Sequence, residues 1–367
     1  MYIFPYFCTQ DSGYVNCPIT IKVVLYEVTI GIPVYNVEKY IRLTMDSALA
    51  QTFPSIEFLV LDDCGTDGSM DIVREYQRNH PRGKDIRIVR QPKNGGIGVA
   101  RNRIIDEAAG KYLFFMDSDD TLPSNAIQLL YDAIIKDHAQ IAYGSNERIY
   151  CEPNGQRVEI EACSNMKFLK GDEFADYAYA SFGNIPANVW KYLIDINVYR
   201  DNHLRFPDIN YWEDFVMTID LPTYITRAVF ISDIIYQYYC RVGSLSNYQK
   251  RDLIKKQEIL NTIEAMRKVK QNSVRMKDKH YFHKWMYKVM MVHFYMICAI
   301  LRNENIISPG FRKREIRDVM KTPLRFKEVL RLRGWRVKNL AIYLLGVLPP
   351  SLSLTIIRKV GKYKGLI

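Results

Sequence analysis

From Val28 the chain settles into short apolar runs separated by amphipathic stretches. Val28–Pro33 is apolar and rich in β-branched residues, and Ile41, Met45, Ala48 and Leu49 behind it recur at helical spacing. Ile56–Leu61, Ile86–Val89, Lys111–Met116 and Ile141–Tyr143 read as further buried strands, with helical stretches at Ser69–Asn79, Val99–Ala108 and Asn125–Lys136 between them. Strands alternating with helices at such short intervals predict βαβ units and a mostly parallel sheet covered on both faces. Sheets of this kind present ligands to the carboxyl ends of their strands. Beyond Glu147 the alternation loosens into short strands, loops and aromatics, whereas 252–303 is helical. Trp285–Leu301 is apolar nearly all round, broken by Lys288 and His293, which predicts a buried helix and a histidine that belongs to the core. The first 27 residues lack the basic start and small-residue cleavage site of a signal peptide, and Ile19–Leu25 suggests an edge strand.

Composition narrows the class. The 367 residues are 48% hydrophobic and 25% charged, with 15 prolines and 19 glycines, which excludes collagen-like, disordered and low-complexity chains. This length exceeds what one hydrophobic core usually serves, so a main domain with an appended unit is expected. Seven scattered cysteines, without a CxxC pair or metal-ligand spacing, read as reduced thiols of a cytoplasmic protein.

Charge is concentrated at one end. Residues 309–367 hold 15 Lys/Arg against 3 Asp/Glu, a net +12 within a total of +11, so the rest of the chain sits at −1 and gives no reason to invoke nucleic acid. Inside this tail Leu340–Leu348 is apolar but stops at Pro349-Pro350, short of the ~20 residues a membrane span needs. Arg331, Arg333, Arg336 and Lys338 precede it, Arg358, Lys359, Lys362 and Lys364 follow, and Trp335 and Tyr343 lie nearby. That arrangement predicts a segment lying on an anionic membrane surface, the inner face of the plasma membrane, rather than crossing it. A packed terminal helix with a solvated basic face is the alternative.

Candidate chemistry sits where strands stop. Asp62-Asp63 follows Phe58–Leu61, and Asp117-Ser118-Asp119-Asp120 follows Tyr112–Met116. Carboxylates crowded along one sheet edge raise one another's pKa unless a cation or hydrogen-bond donors intervene. A divalent metal resolves this, because Asp-x-Asp offers hard oxygens on one turn. Mn2+ or Mg2+ takes one or two such ligands and leaves positions for substrate phosphates. Turn-forming aspartates are the plainer alternative. Glu213-Asp214 forms a third cluster, readable also as an acidic pair at the start of a helix over Phe215–Ile219. Gly95-Gly96-Ile97-Gly98 opens a helix whose N–H groups favour phosphate, with Arg101 placed for an anionic oxygen. It is no dinucleotide fingerprint, since it follows the third strand and Arg101 stands where Gly or Ala is needed.

Taken in order, these segments resemble family 2 glycosyltransferases: Thr29–Ile41 with Pro33, Tyr35, Asn36 and Glu38; Glu57–Ser69 with Asp62-Asp63 and Asp67-Gly68; Asn94–Asn102; Asp117-Ser118-Asp119-Asp120; and Glu213-Asp214. The resemblance covers about 28–250. It implies an α/β fold of GT-A type, Rossmann-like with a mostly parallel sheet flanked by helices, a nucleotide-sugar donor, UDP-linked by analogy, and an inverting hexosyl- or N-acetylhexosaminyltransferase. By position, Pro33, Tyr35 and Glu38 correspond to the first nucleotide-binding loop, and Asp63 to the aspartate that holds the donor base. Arg101 corresponds to the loop arginine near the nucleotide, Asp117 and Ser118 to the nucleotide and metal edge, Asp119 to the metal ligand, and Asp214 to the catalytic base. Glu213, Arg241 and Ser244 are assigned to the diphosphate or acceptor. Cys64 stands where the family usually has Gly. The Gln-x-x-Arg-Trp motif of processive synthases is missing, since Arg331–Trp335 lacks the glutamine and the spacing, so one sugar per encounter is expected.

The implied organisation is an N-terminal extension (1–27) and a catalytic domain (28–250) with a nucleotide-sugar half (28–146) and an acceptor half (147–250). A helical region (251–308) and a basic membrane-associating tail (309–367) complete it. The expected acceptor is a hydroxyl of a glycan or lipid-linked saccharide, in capsule, exopolysaccharide or O-antigen biosynthesis. A sugar nucleotidyltransferase would want a basic glycine-rich loop after the first strand, where this chain has Pro33–Asn36. A silent carbohydrate-binding protein would have no use for Asp119 and Asp214 together.

Overall fold

A computed structural model describes residues 26–152, 155–181, 184–209, 212–241, 253–332 and 336–367. The edge strand expected at Ile19–Leu25, and Ser244, lie outside the described residues. The first part of the chain forms β1 (Tyr26–Val34), α1 (Ile41–Leu49), β2 (Ile56–Asp62), α2 (Ser69–Asn79), β3 (Ile86–Arg90), α3 (Gly96–Glu107), β4 (Gly110–Phe115), α4 (Ala126–Asp137) and β5 (Ile141–Glu152). Then come β6 (Gly155–Glu161), β7 (Met166–Phe168), α5 (Glu173–Ala180), β8 (Tyr192–Asp195), α6 (Asn197–Asp201), α7 (Glu213–Asp220) and β9 (Ala228–Cys240).

These strands make one nine-stranded sheet in the order β3-β2-β1-β4-β8-β5-β9-β7, with β6 on β5. β1 to β5 and β9 point one way; β6, β7 and β8 run against them. Continuous apolar strands are what a sheet covered on both faces requires. Phe58 and Val60 pack with α1 and α4, while Leu59 and Leu61 pack with α3, α5 and α6. α3 starts at Gly96, ahead of the Val99 expected, and Gly98 explains how: a Cβ there would lie 2.3 Å from the Pro207 carbonyl oxygen. The second half of the sheet holds more strand than expected. β5 and β9 are 12 and 13 residues long and pair in parallel, with register shifts between Tyr143 and Asn146. Those shifts, and a tyrosine-rich strand end that is only half-buried, blur the two-residue alternation that marks a strand.

The remaining chain forms β10 (Ile254–Lys255), α8 (Lys256–Val269), α9 (Ser273–Met276), α10 (Phe282–Arg302), β11 (Ile307–Ser308), α11 (Lys313–Met320), α12 (Phe326–Arg331), α13 (Arg336–Leu345) and α14 (Pro350–Tyr363). α10 is the axis of a second core and, as its all-round apolar pattern predicts, buries Trp285, Val289, Val292 and Ile297. Lys288 and His293 are buried with them, and burial pushes the His293 pKa down to about 3, so the imidazole is neutral. The Trp285 indole N–H donates to Asp220 on α7 at 3.0 Å, joining this core to the sheet body. The basic tail folds back on α10 through Ile316, Met320, Leu345 and Ile357. Among the described residues, no helix is long and apolar enough to cross a membrane.

Candidate functional site

β2, β1 and β4 are adjacent and parallel, so the loops after them meet at one edge. The loop after β1 is stitched to the loop after β2. Asn36, at φ 52°, accepts the Thr66 N–H through Oδ1 at 2.7 Å, Glu38 accepts the Gly68 N–H at 2.9 Å, and the Glu38 N–H donates to Asp67. Glu38 therefore holds this loop in shape. Tyr35 is exposed at the rim, whereas Pro33 is buried in β1 opposite Leu61, which leaves it shaping the strand and not touching a ligand with its ring. Cys64 takes φ 61°, the left-handed region that glycine adopts freely, which gives a physical reason for glycine as the alternative residue there.

Asp63 corrects the sequence picture of the glycine-rich loop. Its carboxylate accepts the Gly95 N–H at 2.9 Å and the Gly96 N–H at 3.0 Å, so the amides expected to be free for phosphate are already bound. Burial nevertheless raises the Asp63 pKa, the two N–H donors offsetting it only in part.

The turn after β4 separates its acids by depth. Asp120 is fully buried, accepting from the Tyr236 hydroxyl at 3.0 Å and the Tyr239 N–H at 2.8 Å, while the Asp117 N–H donates to the same Tyr236 oxygen. Asp120 thus ties the turn to β9. Ser118 is buried beside it, and the side chains of Asp117 and Asp119 remain 26% and 30% exposed. Burial, then the charge of Asp117, pushes the Asp119 pKa up to about 6, against the opposing pull of Arg241.

Arg241, at the end of β9, lies 3.2 Å from Asp119 Oδ2, donates to the Asp119 carbonyl, and rests over the rings of Tyr40 and Tyr239. Asp119 is thus paired with Arg241 and Asp117 with Arg101, so each of the two exposed carboxylates of the turn has a cation beside it. Among the described residues no three His, Cys, Asp or Glu side chains gather into a protein-only cage. The donor set of Asp117 and Asp119 therefore fits a hard cation held by one or two carboxylates and completed by ligand and water oxygens.

Arg101 and Glu213 also depart from their expected places. Instead of facing a nucleotide, the Arg101 guanidinium is 5% exposed and divided between Asp117 at 3.0 Å and Glu213 at 2.5 Å. It lies near the faces of Phe115 and Phe206, and its Nε–H has no partner among the described residues. Burial disfavours its charge, but Asp117, Glu213 and Asp214 outweigh that and raise its pKa. Glu213 is thus a buried counter-charge, not a group free for diphosphate or acceptor. The next residue, Asp214, is half-buried at the start of α7, with Oδ1 accepting the Phe215 N–H at 2.6 Å. Burial first, and the neighbouring Glu213 charge second, push its pKa up to about 7 against the pull of Arg101. Trp212, at φ 65°, turns the chain into α7 and lines a small apolar pocket with Ile254, Ile259, Met296, Ile300 and Ile307.

Sequence reasoning missed Tyr236, Tyr239 and Tyr40, which fix the acidic turn and Arg241. Their signal, a Tyr-rich run ahead of Arg241, carries no spacing that separates a positioning tyrosine from a core one. One salt-bridged arginine brings the Asp117 turn and the Glu213-Asp214 pair, far apart in the chain, together.

The family model Glycosyl transferase family 2 matches residues 29–192. An uncharacterized glycosyltransferase of Escherichia coli, YibD, is 24% identical over 337 residues, covering 85% of this chain and 94% of its own. Chondroitin synthase of Escherichia coli is 40% identical over 128 residues, which are 35% of this chain and 18% of that much longer one. In fold, the chain is similar to S. aureus TarS 1–349, solved in complex with UDP-GlcNAc, with a TM-score of 0.61, 20% identity, and coverage of 87% and 90% of the two chains. Residues 29–192 are a family 2 glycosyltransferase domain, and the chain around them has the GT-A-type fold.

Proposed function

We propose that the chain moves a sugar from a nucleotide sugar, most simply a UDP-sugar, to a hydroxyl of a glycan or lipid-linked saccharide during polysaccharide biosynthesis, with inversion at the anomeric carbon. The observation that supports this reading is the Asp117–Arg101–Glu213 bridge, which brings Asp214 close to the Asp117 turn. The nucleotide lies along the β1 and β2 loops, with exposed Tyr35 at the rim. Asp117 and Asp119 would hold Mn2+ or Mg2+, which supplies charge neutralisation for a departing diphosphate. Arg241 reaches that oxygen-rich edge from the β9 side.

Asp214 accepts the acceptor hydroxyl proton as the oxygen attacks. An alcohol is far less acidic than a carboxylic acid, so the transfer lags bond formation, and a pKa near the working pH gives the base more driving force than an ordinary aspartate has. One base and one displacement invert the centre.

The test is turnover of a panel of nucleotide sugars by purified chain, without acceptor, in the presence of Mn2+ or of a chelator. Slow, metal-dependent release of nucleoside diphosphate from one sugar nucleotide is expected. Binding of glycans with no turnover of any nucleotide sugar under either condition would refute the proposal.

A further inference from the structure

The C-terminal pair of helices carries a surface that the transfer chemistry does not use. One side of α13 and α14 is spent on the interior, where Ile342, Leu345 and Ile357 meet Met290, Phe294 and Ile297 of α10. The other side is apolar and open. Val337, Leu344 and Val347 on α13 and the turn after it, with Leu352, Val360 and Tyr363 on α14, are between 40% and 86% exposed. On α13 Val337 and Leu344 stand seven residues apart, and on α14 Val360 and Tyr363 follow Leu352 by eight and eleven, so each set occupies one face of its helix. Surface apolar residues scattered singly need no explanation, but an exposed apolar set on each of two successive helices does.

The charge beside these sets selects their partner. Val329–Ile367 contains eight Lys/Arg and no Asp or Glu. Arg358 is bound to Glu304 and Lys338 to the Tyr287 hydroxyl, while Lys359, Lys362 and Lys364 are exposed on and just after α14. We propose that the α13–α14 face docks on an anionic membrane, its apolar side chains turned into the acyl boundary and its lysines at the lipid phosphates. A two-fold contact between copies would set the same positive surface against itself, so repulsion disfavours that occupant. Free phosphate would leave the apolar side chains unused. The face takes no part in the acidic site, so its failure and the failure of the transfer reading are separate results.

The full chain is sedimented with vesicles of phosphatidylcholine alone, or mixed with phosphatidylglycerol, at low and high salt. Binding to the mixed vesicles only, weakened by salt, is expected. The triple variant Lys359→Ala/Lys362→Ala/Lys364→Ala should lower partitioning on the order of 100-fold, about fivefold per lysine. Leu344→Glu/Val347→Glu/Leu352→Glu should abolish it, with thermal melting unchanged in both because every altered side chain is exposed. Equal sedimentation with both vesicle types, no sedimentation, or retention by both triple variants overturns the proposal. So does a chain that self-associates through this face without binding lipid, recognised as a dimer that the glutamate variant dissolves.

Discussion

Replacing Arg101 with Met keeps most of the aliphatic bulk between Phe115 and Phe206 and deletes the charge that Asp117 and Glu213 share. At the 3.0 Å contact with Asp117, an effective dielectric of about 20 gives a Coulomb attraction of about 5 kcal/mol. The guanidinium also gives up hydration to be there, so the net loss on removing one partner of such a buried pair is about 3–5 kcal/mol. That is a large share of the ~5–15 kcal/mol that holds a domain folded. The loss depends on pH in a defined direction. Without Arg101, whose charge pulls the Asp214 pKa down, that already raised pKa rises further, and the native state then binds more protons than the unfolded chain between about pH 4 and the raised value. Stability of the variant therefore increases as pH falls through that window. Urea unfolding of wild type and Arg101→Met at about pH 8 and about pH 5 should show a gap of several kcal/mol that narrows at the lower pH. Arg101→Lys, whose ammonium cannot serve two carboxylates as a fork, should fall between them. A gap below about 1 kcal/mol at the higher pH, or one independent of pH, would mean that charge compensation is not what Arg101 provides.

Asp214→Asn should leave donor affinity, measured by calorimetry, nearly unchanged while transfer falls by about 100- to 10,000-fold; in wild type the acid limb of the rate profile should lie near the raised pKa of about 7, because only the ionised carboxylate accepts a proton. Near-normal turnover of the variant would move the base elsewhere. Asp119→Asn should abolish the difference in UDP affinity between Mn2+ and chelator, and persistence of that difference would remove Asp119 from the cation site. At the left-handed position 64, Cys64→Gly should unfold within about 0.5 kcal/mol of wild type, whereas Cys64→Val should cost ~1–3 kcal/mol. Equal stability of the two would show that backbone strain there is negligible.

The first half of the sheet was legible because β1, β2 and β4 are buried on both faces and their apolar runs end abruptly in aspartates. The long β5 and β9 were not, since their bulged register and half-buried tyrosines resemble loop. Asp117 and Asp119 stand out as acids directly after an apolar strand, whereas Asp214, ahead of an apolar helix, is singled out by the family resemblance. What the chain order could not show is pairing: Arg101 looks like an anion reader until Glu213 arrives from far along the sequence to claim it. Asp63 misleads in the same way, because nothing in Asp62-Asp63 says that the amides of Gly95 and Gly96 will close on it. Depth within the Asp117–Asp120 turn was equally invisible, since only the packing of Tyr236 decides that Asp120 sinks while its neighbours stay wet.

The aspartate that fills the mouth of α3 has an electrostatic consequence. Many nucleotide-binding proteins let the partial positive end of a helix carry part of a phosphate's charge. Here that end is quenched from within by Asp63, and Arg101 is quenched by two acids of its own. With both of these positive sources matched by acids of the chain, neither adds net positive charge to the acidic edge that Arg241 and Asp119 share.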